Sequence, residues 1–78
     1  MKKRFYLTYP PELIKEPLIY QVIKSYEVVV SIRQANISDK LGLMALELEG
    51  EAAEIDKAVR FLSGKGVTVE PIELDVIE

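Results

Sequence analysis

The sequence predicts an α+β fold in which strands and helices follow one another in the order β-α-β-β-α-β. Two observations support this order. Some segments alternate apolar and polar residues with the period of two that a half-buried strand requires, and others repeat apolar residues at helical spacing. Right-handed crossovers then give a ferredoxin-like sandwich, in which a four-stranded antiparallel sheet carries both helices on one face.

The first strand and the first helix are separated by prolines. Residues 4–9 alternate, with Phe5 and Leu7 on the face that we expect to be buried. Pro10-Pro11 ends this strand because proline cannot donate a ladder hydrogen bond. Pro17 suits the first turn of a helix. The predicted apolar stripe of this helix comprises Leu18, Ile19, Val22, Ile23 and Tyr26.

The second and third strands are predicted to form a hairpin. In the first half of the second strand, the apolar residues have even numbers, namely Val28, Val30 and Ile32. In its second half they have odd numbers, namely Ala35 and Ile37. A slip of one residue is what a β-bulge produces, so we predict a bulge within this strand. Residues 38–42 have turn composition, and Met44, Leu46 and Leu48 alternate in the third strand.

The second helix and the fourth strand complete the fold. The stripe of this helix is predicted to comprise Ala52, Ile55, Ala58, Val59 and Leu62. Residues 63–66 end it, with a glycine available for a left-handed cap. Pro71 marks the last strand as an edge or as the site of a bulge, and a second slip, from Val67 and Val69 to Ile72, Leu74 and Val76, agrees with this. Besides the helix stripes, the predicted core contains Phe5, Leu7, Val28, Val30, Ile32, Leu46, Leu48, Val67 and Val69.

The composition describes one small domain, residues 1–78, without the side chains of most active sites. The chain has 78 residues, a formal net charge of −3, and neither Cys nor His. It therefore lacks the usual ligands of zinc and iron–sulfur clusters, and the commonest general acid or base. We expect no catalytic residue, no metal and no cofactor in this chain, and thus no enzyme.

Charge and hydropathy also bear on the partners. No apolar run approaches the ~20 residues of a membrane span, so we expect no membrane insertion. The start of the chain is too short and too polar for a signal peptide, which favours a cytoplasmic location. The net charge is negative and no basic, aromatic RNA-binding pattern is present, so we expect no nucleic-acid partner.

The sheet face without helices is predicted to present a mixed surface. Its expected residues are Tyr6, Thr8, Val29, Ser31, Arg33, Leu43, Ala45, Glu47 and Thr68. One interpretation is a plain solvated surface with scattered apolar residues. The other is a contact face, because exposed apolar patches on small domains often mark interactions. In that case we expect a homodimer or another partner to contact Tyr6, Val29, Leu43 and Ala45.

The order and spacing of several segments resemble the NIL domain. They are Leu7-Thr8-Tyr9-Pro10, Glu16-Pro17-Leu18-Ile19, Val30 to Ile37, Leu46 to Gly50 and Gly66-Val67-Thr68-Val69. The resemblance implies an ACT-like regulatory domain that occurs in two settings. In methionine ABC-importer ATPases it is a dimeric C-terminal module that binds methionine. In other proteins it precedes a 4Fe-4S ferredoxin domain and is linked to sulfur and methionine metabolism.

The start at Met1 and the acidic segment at residues 74–78 look more similar to the second setting. We therefore expect a non-enzymatic regulatory or docking domain, fused to a ferredoxin domain that holds the 4Fe-4S clusters. The alternative is a sensor domain that binds methionine or a related amino acid. The Asn-Ile-Leu stretch that names the family is Ser31-Ile32-Arg33 here, so the resemblance suggests Ser31 and Arg33 as ligand-binding residues.

Overall fold

The structure, a computed structural model, describes residues 1–72 and confirms the predicted order of strands and helices. The strands are β1 (Lys2–Tyr9), β2 (Val28–Ile37), β3 (Gly42–Gly50) and β4 (Thr68–Pro71), and the helices are α1 (Leu18–Ser25) and α2 (Ala52–Lys65). A short 3-10 turn at Pro11–Leu13, which the sequence did not predict, follows β1.

The strands form one antiparallel sheet in the order β2-β3-β1-β4, as the ferredoxin-like fold requires. β1 and β3 are central, and β2 and β4 are the edges. Helix α1 packs against β2, and α2 packs against β3 and β4. Both helices cover one face of the sheet and leave the other face open. We call the uncovered surface the open face.

The core lies between the helices and the covered face of the sheet. Alternate residues of β1 and β3 point into it, and the pairing register places Phe5 opposite Leu46. The buried residues are Phe5, Leu7, Tyr9, Leu18, Val22, Val28, Leu46, Leu48, Ile55, Ala58, Leu62 and Val67. Burial of each large aliphatic side chain contributes about 1.5–3 kcal/mol, so this layer dominates the stability of the fold.

Some residues predicted to lie in the core are not buried. Ile32 and Ile23 are 54% and 53% exposed. The physical reason is that α1 has only eight residues and β2 is an edge strand, so the helix layer ends before it covers this side of the sheet. Ala52, the first residue of α2, is also exposed, while Val30 and Val69 pack at the margin of the core.

The predicted bulge in β2 is confirmed. Ile32 pairs with Leu46 and Gln34 pairs with Ala45, so Arg33 is the extra residue without a partner on β3. The bulge returns Ala35 to the covered face and turns Gln34 toward the open face. The edge position of Pro71 is also confirmed, since β4 is the outer strand. Leu74 and Val76, which define the second predicted slip, lie outside the described residues.

The left-handed end of α2 is confirmed at Gly66, whose φ is +110°. Its N–H donates to the carbonyl groups of Leu62 and Ser63, and the N–H of Val67 also donates to Leu62, so carbonyl groups at the helix end have partners. Within residues 1–72, no helix combines the length and the apolar character that a membrane crossing demands. The same part of the chain contains no cluster of carboxylates suited to a metal ion.

Candidate functional site on the open face

Two rows of side chains run straight across the four strands on the open face. The strand register aligns Glu70, Tyr6, Ala45 and Gln34 in one row, and Thr68, Thr8, Leu43 and Asn36 in the next. Neighbouring strands lie about 4.8 Å apart, so each row spans about 14 Å from β4 to β2. The rows are adjacent, so they form one continuous surface.

A groove with a volume of 380 Å³ lies along these rows. We call it the open-face groove; its lining residues are Tyr6, Leu7, Thr8, Gln34, Asn36, Leu43, Met44, Ala45 and Glu70. Its volume is within the range of pockets that bind small molecules in other proteins. The groove is therefore large enough for a ligand of the size of an amino acid.

The middle of the groove is apolar. Tyr6 and Ala45 are directly opposite each other on β1 and β3, and Leu43 lies next to them on β3. Tyr6 is 54% exposed and Leu43 is 44% exposed, although both are large apolar side chains. Adjacent exposed apolar residues at the centre of a sheet face are typical of a surface that another molecule covers.

The two ends of the groove are polar. Gln34 and Asn36 lie at the β2 end, and Glu70 lies at the β4 end. A side-chain amide offers both N–H donors and a carbonyl acceptor, so it can bind a carboxylate and an ammonium group alike. A pair of amides next to an apolar surface thus suits a zwitterion that carries an apolar side chain.

The bulge at Arg33 is what puts both amides into the groove. In a regular strand, side chains alternate strictly between the faces, so a shift of one residue moves each following side chain to the opposite face. Without the extra residue, Gln34 and Asn36 would point to the helix side, and Ala35 and Ile37 would face the groove. The bulge therefore changes the chemistry of this end of the open face.

An ion pair limits the polar surface next to the groove. Nε of Arg4 lies 3.1 Å from Oε1 of Glu47, and the two residues are directly opposite each other on β1 and β3. Glu47 is only 12% exposed at its side chain, so little of its carboxylate is available to a ligand. Glu47 is not part of the groove lining, in which the carboxylate belongs to Glu70.

The structure separates the site residues predicted from the sequence into two groups. Tyr6, Leu43 and Ala45 lie together in the groove, whereas Val29 is 61% exposed near the other end of the sheet, opposite Glu49. These four positions share the open face, and their contact with a partner stays a prediction.

The two predicted ligand-binding residues lie outside the groove lining. Ser31 is half-buried opposite Glu47, and Arg33 is exposed at the bulge. Their role in ligand binding also stays a prediction. The sequence reasoning missed Gln34, Asn36 and Glu70. The bulge that it predicted was the signal for the two amides, because the same slip that returns Ala35 to the covered face turns its neighbours to the open face.

Comparison with known proteins identifies the family. The family model of the NIL domain matches residues 3–71. The chain belongs to the NIL domain family. The resemblance stated from the sequence is thereby confirmed, and the matched segment includes both the bulge and the lining of the groove.

Curated relatives of this NIL domain are methionine import proteins. MetN, the methionine import ATP-binding protein of Bacillus subtilis (strain 168), is 31% identical over 74 residues, which cover 90% of this chain and 22% of that protein. MetN 3 of Shouchella clausii (strain KSM-K16) is 34% identical over 73 residues, covering 88% and 21%. The chain therefore spans about a fifth of the length of these curated relatives.

A solved structure shares the fold of this NIL domain. It is the C-terminal domain of an ABC transporter/ATP-binding protein from Enterococcus faecalis, with a TM-score of 0.81 and 31% sequence identity. The match covers 94% of this chain and 86% of the solved chain. The NIL domain thus corresponds in fold and extent to a separately crystallised C-terminal domain.

Proposed function

We propose that this NIL domain is a non-enzymatic regulatory module whose open-face groove binds methionine or a related amino acid. One observation carries the proposal: two amides, Gln34 and Asn36, face an apolar surface in a groove of 380 Å³. The amides supply hydrogen bonds for the α-ammonium and α-carboxylate groups, and the apolar surface takes the side chain.

The chemistry of the groove favours a thioether side chain. Leu43 and Ala45 offer aliphatic surface, and Tyr6 offers an aromatic ring beside it. Sulfur makes favourable contacts with aromatic rings, worth about 0.3–1.5 kcal/mol each. An unbranched, flexible side chain also fits an irregular groove better than a β-branched one. A negatively charged side chain would lose hydration against this apolar surface, and the carboxylate at the end of the groove, Glu70, would repel it.

The relatives support methionine over other amino acids. The curated relatives from Bacillus subtilis and Shouchella clausii are named methionine import ATP-binding proteins. A domain that binds the imported compound is a suitable regulator of import, because differential affinity for two states shifts their populations. A cytoplasmic location, beside the ATP-binding part of such an importer, belongs to the same proposal.

Thermal unfolding with and without L-methionine tests the proposal. A ligand at ~100 times its dissociation constant stabilises the native state by about 2.7 kcal/mol, so the melting temperature should rise with methionine concentration. Asn36→Ala and Gln34→Ala should reduce this rise. Gln21→Ala removes an amide from helix α1 and is the matched control, which should respond like the wild type.

The outcomes separate two locations for the ligand. Loss of the response in Asn36→Ala but not in Ser31→Ala supports the groove. Loss in Ser31→Ala or Arg33→Ala, with Asn36→Ala unaffected, places the ligand at the positions suggested by the family resemblance and contradicts the groove. No rise for the wild type at millimolar methionine contradicts amino-acid sensing of this kind.

The association with a 4Fe-4S ferredoxin domain, expected from the sequence, remains a second proposal. Its support is the similarity of the acidic composition of residues 74–78 to that branch of the family. The reading frame on both sides of this segment tests it. Spaced cysteines after Glu78 would support a fused ferredoxin domain, whereas ATPase motifs before Met1 would contradict it and place the domain in an importer.

Contact of the open face with a protein partner also remains a proposal. Tyr6, Val29, Leu43 and Ala45 would lie in such an interface. Leu43→Lys tests it by sedimentation, because a charge at the centre of an apolar contact should weaken association. If Leu43→Lys associates like the wild type, the centre of the open face is not the interface.

A further inference from the structure

The open-face groove has a negative charge at one end and an aromatic ring beside it. The carboxylate of Glu70 lies at the β4 end, and Tyr6 is directly opposite Glu70 on β1. Directly opposite residues of an antiparallel pair point to the same side of the sheet, with their Cβ atoms about 5 Å apart. Both side chains are exposed, so a ligand in the groove can contact the ring and the carboxylate together.

The carboxylate of Glu70 has no cationic partner within residues 1–72. The ion pairs of this part of the chain are Arg4–Glu47 and Lys57–Glu54. Arg4 lies two positions before Tyr6 on the same face, but its Nε is 3.1 Å from Oε1 of Glu47, on the side of β1 away from β4. Glu70 is therefore open to a positive charge that a ligand brings.

The strand spacing sets which part of a bound amino acid lies at Tyr6. If the α-ammonium and α-carboxylate groups bind at Gln34 on β2, the α-carbon lies above Ala45 on the next strand. The sulfur of methionine is two methylene groups further along, which is close to one strand spacing of about 4.8 Å. The sulfur therefore lies above Tyr6, and the next side chain in the row is Glu70.

We propose that the groove binds a sulfonium derivative of methionine more tightly than methionine itself. This inference rests on the proposed amino-acid site and adds the charge that the site selects. A sulfonium sulfur has the position of the thioether sulfur but carries a third substituent and a positive charge. The ring of Tyr6 attracts this charge by a cation–π contact, and the carboxylate of Glu70 is its counter-ion.

The hydration of the cation favours sulfonium over ammonium. The ammonium group of a lysine ligand has three N–H donors and is strongly hydrated, so it would lose hydrogen bonds beside Leu43 and Ala45. It also lies two bonds beyond the position of the sulfur. A sulfonium group has no N–H donor, and aromatic rings bind alkylated cations of this kind well. The apolar middle of the groove therefore suits a cation that is surrounded by carbon.

Two sulfonium amino acids share this chemistry, S-methylmethionine and S-adenosylmethionine. They differ only in the third substituent on the sulfur. The groove lies on a face of the sheet and not inside the core, so this substituent can point away from the sheet. Tyr6 and Glu70 recognise the charge, which is common to both compounds.

Isothermal titration calorimetry at low salt tests the preference. S-methyl-L-methionine should bind about tenfold more tightly than L-methionine. Homoleucine, in which a CH group replaces the sulfonium sulfur and keeps its two methyl groups, should bind no more tightly than methionine. Glu70→Gln should remove most of the tenfold difference, and Tyr6→Leu should reduce it. Glu49→Gln removes a carboxylate of β3 outside the groove lining and is the matched control.

The outcomes separate the charge preference from the amino-acid site itself. A preference for S-methylmethionine that Glu70→Gln removes and Glu49→Gln retains supports the proposal, and a parallel titration with S-adenosylmethionine identifies which compound binds more tightly. Equal binding of methionine and S-methylmethionine overturns the preference but leaves the amino-acid site intact. A preference that survives in Glu70→Gln also overturns it. If none of these compounds binds, both proposals fail.

Discussion

The carboxylate of Glu54 accepts a hydrogen bond from the backbone N–H of Glu27, at 2.9 Å. Glu54 is in the first turn of α2, and Glu27 immediately precedes β2, so the contact joins two elements that are distant in sequence. Nζ of Lys57 lies 3.0 Å from the second carboxylate oxygen. The contact therefore holds the start of the edge strand against the first turn of α2.

The pKa of Glu54 makes this contact dependent on pH. The hydrogen bond from the N–H of Glu27, followed by that from Lys57, lowers the pKa of Glu54 below its ordinary value of 4.5. A lowered folded-state pKa gives stability that is present above the unfolded-state pKa and lost as pH falls through the folded-state pKa. Stability should therefore decrease below about pH 4.5.

Glu54→Gln should reduce this acid dependence, because the amide does not titrate. Urea unfolding between pH 3 and pH 7 checks it, with Glu51→Gln as control. Glu51 occupies the N-cap of the same helix and makes no side-chain capping hydrogen bond. If wild type and Glu54→Gln lose stability in parallel as the pH falls, the contact does not contribute as described.

Tyr9 gives a prediction at alkaline pH. Burial raises the pKa of Tyr9 above its ordinary value of 10.0, because the phenolate would lose hydration in the core. For a raised pKa, the stability is fully present below the unfolded-state value and is lost as pH rises through the folded-state value. Ionisation of Tyr9 should thus reduce the stability of the fold as the pH rises above 10.0.

Ultraviolet titration of the tyrosines measures this directly. The titration should contain a late phase from Tyr9, and Tyr9→Phe should remove it. Tyr20→Phe is the matched control, since Tyr20 lies on the outer side of α1 and is exposed. A late phase that survives in Tyr9→Phe would refute the assignment.

Substitution of alanine for each of the two glycines at the end of α2 should change the free energy of unfolding in opposite directions. Gly66 has a φ of +110°, which other residues adopt at a cost of roughly 1–2 kcal/mol, so Gly66→Ala should lower the free energy of unfolding by about that amount. Gly64 is within the helix, and a methyl group there has no neighbour within 4 Å. Gly64→Ala should stabilise the fold by up to about 1 kcal/mol. Chemical denaturation measures the free energy of unfolding of each variant. Equal effects of the two substitutions would contradict a left-handed end of α2 at Gly66.

Hydrophobic periodicity was sufficient to predict the arrangement of the core, and its limit lies at the edge of the sheet. Phe5, Leu7, Leu46 and Leu48 were placed correctly because central strands alternate strictly under a helix layer. Ile32 follows the same pattern but is exposed, since the pattern records the side of the sheet and not how far α1 extends. Burial at an edge depends on helix length and position, which no local pattern contains.

The groove shows a similar limit. Tyr6, Leu43 and Ala45 were expected on the open face, and the alternation of β1 and β3 was enough to place them. Gln34 and Asn36 were missed, although the bulge that turns them was predicted, because the position of the extra residue depends on the pairing with β3. The slip in the apolar pattern of β2 shows that the bulge lies between Ile32 and Ala35. Only the pairing register of β2 with β3 identifies Arg33 as the extra residue.

An NMR titration of the 15N-labelled domain with L-methionine tests directly whether the open-face groove is an amino-acid site. We expect concentration-dependent shifts of the backbone amides of Tyr6, Ala45, Gln34 and Asn36, with saturation at one ligand per chain. Amides on the outer side of α2 should stay unchanged. An unchanged spectrum at millimolar methionine, or shifts confined to residues outside the groove, would contradict methionine binding in the groove.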